Sequence, residues 1–177
     1  MKKYKLSALL LALILMLAGC GNSSDMREGM DHFMVSWSSG GEDAQFIGSG
    51  GELITGVHNE GLAALLMRKV EYKVCDIKDD TVILEIAAPD VAAMLEQAVA
   101  SMDSFDADGF QSNMEALLEE NVATRIFTVE VQMQEVDGKW YPILSAELVN
   151  AVTGGLAEAY ATTQQLIIDS MIKGGNS

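Results

Sequence analysis

Hydrophobic and polar positions follow three rhythms along this chain, and each predicts a different kind of segment. At the start there is almost no alternation. Lys2, Lys3 and Lys5 are followed by a continuous apolar stretch from Leu6 to Leu17, and the small residues Ala18 and Gly19 then precede Cys20. From Asp25 to Trp37 the rhythm becomes helical, with Met26, Met30, Phe33, Met34 and Trp37 on one stripe. Ser38-Ser39-Gly40-Gly41 stops that helix, and the chain stays rich in glycine to Gly61. Across this stretch and just beyond it, Leu53, Ile54, Val57, Leu62, Leu65 and Leu66 predict one broken helix or two short ones.

The period then changes to two. Val70, Tyr72 and Val74 alternate with Lys69, Glu71 and Lys73, the chain turns at Lys78-Asp79-Asp80, and Val82, Leu84 and Ile86 return. This predicts a β-hairpin with one face inward. Pro89-Asp90 ends it, and Asp90 is placed to cap a helix striped with Val91, Met94, Leu95, Ala98, Val99 and Met102. After an acidic loop from Asp103 to Gly109, a short helix starting at Ser112 carries Met114, Leu117 and Leu118. A second hairpin has Phe127, Val129, Val131 and Met133 on one face, a turn at Asp137-Gly138, and a return from Lys139 to Leu144. Pro142 marks the returning strand as an edge or as near its end. Ser145 opens a helix with Leu148, Val149 and Val152, interrupted at Gly154-Gly155. A last apolar helix uses Leu156, Tyr160, Leu166, Ile167 and Met171 and could pack on its own domain or on a second copy. The pattern is α+β, with a curved antiparallel sheet of two hairpins packed against amphipathic helices.

Charge narrows the partners. The 177 residues hold 26 acidic and 11 basic side chains, a formal −15. If the first 19 residues are removed, three lysines go with them, leaving 8 basic against 26 acidic residues and a charge of −18. Such a chain is repelled by nucleic acid and by anionic surfaces, so nucleic acid is excluded as a partner. The two cysteines are Cys20 and Cys75, and with Cys20 acylated no intrachain disulfide is possible. Cys75 falls within a predicted strand, where a buried small hydrophobe is the expectation. Nothing in the pattern calls for a cofactor or shows structural-zinc spacing.

The basic head, the apolar core and Leu17-Ala18-Gly19-Cys20 together resemble a bacterial lipoprotein signal with its lipobox. That resemblance implies a diacylglyceryl thioether on Cys20 and cleavage before it. The apolar stretch is too short to be a comfortable permanent span. Two acyl chains, at about 0.8 kcal/mol per buried methylene, give stable attachment. The implied organisation is a signal peptide at 1–19, a lipidated tether at 20–24, one domain at 25–173 and a disordered tail at 174–177. The protein would then work at the outer face of the cell membrane.

A second resemblance rests on VEYKVCDIKDDTVILEIAAPD at 70–90, DGKWYPI at 137–143 and LVNAVTGGL at 148–156. These segments, in the order helices, hairpin, helix, hairpin, helix, resemble NTF2-like (cystatin-like) cone domains in small lipoproteins of Gram-positive bacteria. The likeness implies an α+β cone with Trp140 as an anchor where helix and sheet meet. Many such domains have no assigned activity, and residues 38–61 depart from the pattern in being so rich in glycine.

Three sets of residues could carry chemistry. Ser104, Asp106, Asp108 and Glu115 fall at positions one, three, five and twelve of a calcium loop, with Gly109 at the sharp turn. Against that, position one lacks Asp, Gln111 replaces an apolar residue, and Ser112 to Glu115 forms a capping box. An ordinary acidic loop is the expectation and calcium the alternative. His32, His58 and Asp90 are the candidates for an acid or base in an isomerase- or dehydratase-type cavity enzyme on such a cone. The primary expectation is instead a non-catalytic module that binds an envelope protein, a peptide or a small apolar ligand.

Overall fold

The computed structural model describes residues 22–57, 61–100, 107–120 and 123–162. Helix α1 spans 22–38, and its striped side chains Met26, Met30, Phe33, Met34 and Trp37 are all buried. The helix starts three residues earlier than the sequence pattern marks, so 22–24 are its first turn and not spacer. Its end is closed by Gly40 N–H donating to Trp37 O (3.1 Å) and Gly41 N–H to Ser36 O (2.9 Å).

The glycine-rich stretch that follows overturns the helical expectation for its first half. β1 (Gln45–Ile47) and β2 (Leu53–Thr55) pair as a short antiparallel hairpin. Its loop is held by Gly48 N–H to Glu52 O and Gly51 N–H to Gly48 O, both 2.9 Å. Three glycines in four positions weaken a helix by about 1 kcal/mol each, so the apolar pair Leu53-Ile54 was free to become strand. The second half is helical as expected, in α2 (Gly61–Met67).

β3 (Glu71–Lys78), β4 (Thr81–Pro89), β5 (Thr124–Val136) and β6 (Lys139–Pro142) form one antiparallel sheet in that order, with β3 and β6 at its edges. The inward rows are set by register: Ile86 faces Phe127, Leu84 faces Val129, and Val82 faces Val131. Asp137 and Gly138, at φ 51° and 76°, make the tight turn between β5 and β6. A bulge lies between Val74 and Asp76, so Cys75 has no partner on β4 and is exposed. The buried thiol expected of a cysteine within a strand is therefore corrected. The extra residue lets Val74 and Ile77 both pack against the core across a register shift.

β4 runs into α3 (Val91–Ala100), where Asp90 Oδ1 accepts from Ala93 N–H at 3.2 Å as the expected cap. α4 (Ala107–Glu119) begins five residues before Ser112, so the capping box at Ser112 is also corrected. α5 (Ala146–Val152) is capped by Ser145, whose side chain accepts from Leu148 N–H. It ends with Gly155 N–H donating to Asn150 O and Gly154 N–H to Ala151 O, both glycines having positive φ. A short helix, α6, follows over 156–162.

Two apolar clusters result. In the first, α1 and α5 lie against the inner face of β4 and β5 together with Phe46 and Met67. In the second, Leu66, Val91, Met94, Ala98, Met114, Leu118 and Ala159 join α2, α3, α4 and α6. Over its described residues α6 packs on its own domain through Ala159 and Leu156, while Leu166, Ile167 and Met171 lie outside the described residues. Each large side chain buried this way stabilises the fold by about 1.5–3 kcal/mol. The outcome is α+β, with an open four-stranded sheet and a separate two-stranded one.

Candidate functional site

α1 does two jobs with two faces. One face supplies the buried methionines. Another carries Asp25, Glu28, Gly29 and His32, whose spacing of three, four and seven residues stacks them over two turns. These four, with Gln45 from β1 and Gly138, Lys139, Trp140 and Tyr141 from the β5–β6 turn and β6, line a cleft of about 360 Å³.

Gly29 makes the cleft possible. It faces the backbone of Trp140, and a side chain there would run into the Trp140 carbonyl oxygen. α1 can lie this close to edge strand β6 only without a Cβ at that position. Trp140 is half-buried and packs against the first core cluster, so its expected anchoring role and a place in the cleft wall coincide.

Besides the Tyr141 phenol, the ionisable groups at the cleft are two carboxylates, one imidazole and one ammonium. Among the described residues, the side chains of Asp25, Glu28, His32 and Lys139 form no hydrogen bond or ion pair with one another or with the rest of the fold. The neighbouring Asp31 is committed: its Oδ1 accepts from Tyr72 Oη at 3.0 Å and ties α1 to β3. Burial first, and then the Asp31 carboxylate, push the Tyr72 hydroxyl up to about 12.

The other sequence candidates separate. Leu17, Ala18, Gly19 and Cys20 lie outside the described residues, as do His58, Ser104 and Asp106. Asp90 is spent on the α3 cap. His32 is exposed at the cleft. Asp108, Gly109, Ser112 and Glu115 all stand on the continuous helix α4, so the chain does not make the sharp turn at Gly109 that a calcium loop requires. Among the described residues, no group of three His, Cys, Asp or Glu side chains could hold a metal ion. No buried polar or charged residue stands in the described apolar interior. No described helix is long and apolar enough to cross a membrane.

Sequence reasoning found the buried face of α1 and, of its cleft face, singled out His32 alone. The available signal was Gly29, a helix-weakening residue in the middle of a strong amphipathic stripe, which marks a close backbone approach. Comparison with protein-family models, with curated proteins and with solved structures finds no match to this chain.

Proposed function

We propose that this chain is a lipoprotein anchored through Cys20 at the outer face of a bacterial membrane, its folded body a non-catalytic binding module on an NTF2-like cone. The anchoring half of the reading is supported by the order of Lys2, Lys3 and Lys5, the apolar run, the small residues and Cys20. The cone is supported by the α+β layering, with α1 and α5 lying against one face of the sheet.

The observation that carries the binding role is the α1–β6 cleft, with four ionisable side chains that the described fold does not use. The cavity-enzyme alternative needs an acid or imidazole pointing into an apolar chamber. The described interior is instead packed with side chains such as Met30, Phe33, Met34, Leu84 and Leu148.

A photo-crosslinking residue at Gln45, in the cleft, and another at Thr128, exposed on β5, test the binding role in the full-length protein in cells. Adducts specific to position 45 are expected. Equal adducts from both positions, or turnover of a metabolite by the purified protein, would contradict it.

A further inference from the structure

We infer that the α1–β6 cleft is held at the bilayer surface and that it takes a small amine-bearing cation there. The first half rests on the anchoring proposed above and follows from chain length. Cys20 is two residues from the start of α1, so their Cα atoms are at most about 7 Å apart. A helix rises about 1.5 Å per residue, which puts Asp25 about 4.5 Å and His32 about 15 Å beyond residue 22. Every cleft residue on α1 therefore lies within about 22 Å of the anchored cysteine, whatever angle the body adopts. A flexible spacer through residue 24 would have loosened this; the helical first turn removes most of that freedom.

The second half follows from charge and surroundings. Asp25 and Glu28 stand one turn apart with no partner among the described residues, and Lys139 is the single lysine or arginine lining the cleft. The chain as a whole has 26 acidic against 11 basic residues, so an anion must enter against both the local and the overall field. A cation is drawn by both. Trp140, on the face of β6 that α1 covers, adds aromatic lining, which suits an ammonium group. A volume of about 360 Å³ fits a single small headgroup-sized ligand. The shared chemistry is an ethanolamine-like amine, supplied either by a lipid headgroup or free in solution.

The test uses the full-length lipidated protein carrying 5-fluorotryptophan, in discs of phosphatidylglycerol, a lipid without an amine. Its two tryptophans, Trp37 in the core and Trp140 at the cleft, give separate fluorine resonances. Free ethanolamine is expected to shift Trp140 saturably and leave Trp37 in place. Asp25→Asn combined with Glu28→Gln is expected to weaken that binding about tenfold, since both exchanges remove charge from an exposed face. In discs containing phosphatidylethanolamine, Trp140 is expected to sit at the shifted position before any ethanolamine is added. A Gly-Ser insert of about twelve residues after Gly21, reaching ~20 Å, should abolish this lipid effect and leave free ethanolamine binding intact.

No Trp140 shift, or one unchanged by the double substitution, overturns the amine ligand. Binding of free ethanolamine with no response to phosphatidylethanolamine overturns the surface placement. Flotation of the Cys20→Ser protein with the discs would instead overturn the anchoring reading alone, because the free-amine titration does not depend on it.

Discussion

A methyl group at Gly29 would overlap the Trp140 carbonyl oxygen, and both neighbours are backbone, so nothing flexible can give way. Gly29→Ala is expected to lower stability by about 1–3 kcal/mol despite its better helix propensity. A drop in the urea midpoint checks this; a rise would mean that α1 and β6 are not in contact. Tyr72 is a second residue whose surroundings can be tested. Its hydroxyl is held up to about 12, first by burial and then by Asp31, while an unfolded tyrosine titrates near 10. The folded state therefore keeps a proton that the unfolded state gives up as pH rises between those values. The stabilisation is complete below about pH 10 and is lost on rising through about pH 12. Denaturant midpoints measured up that range should fall, and Tyr72→Phe should make the fall shallower. At neutral pH the same substitution should cost about 1 kcal/mol through the lost hydrogen bond to Asp31.

The bulge in β3 and the glycine pair after α5 are tested as elements. Since Cys75 is exposed at the bulge and has no partner on β4, a maleimide should modify it in the folded protein about as fast as in urea. Protection by more than about a hundredfold, the mark of a closed site, would restore the buried thiol expected of a cysteine within a strand. At the end of α5, Gly154 combines a φ of +67° with close approach to the Pro89 carbonyl. Gly154→Ala should destabilise by more than the roughly 1 kcal/mol expected of Ser145→Ala at the other end of the helix. Equal losses would mean that the left-handed turn is not needed. The paired strands were legible because period two survives over β4 and most of β5, where Val82, Leu84, Ile86, Val129, Val131 and Met133 mark the inner face. The β1–β2 hairpin was not, because three-residue strands carry too few positions to show a period. α4 was misread at its start because Ser112 is an attractive cap, yet the helix extends back through Gly109 to Ala107. A local signal lost there to the longer element.

At the scale of the whole molecule, two separate faces of one helix link the fold to the proposed role. The buried stripe of α1 was readable from Met26 to Trp37, because core positions repeat. The cleft was not, because Asp25, Glu28 and His32 look like any solvated helix face until β6 is brought alongside by pairing with β5. Position on the membrane depends on a different part of the chain, the run ending at Cys20. The most direct measurement is incorporation of radioactive palmitate, with membrane sedimentation, in cells expressing Cys20→Ser or Cys75→Ser. The account predicts that Cys20→Ser loses the label and leaves the pellet, while Cys75→Ser keeps both. A Cys20→Ser protein that is still processed, labelled and sedimented would contradict it.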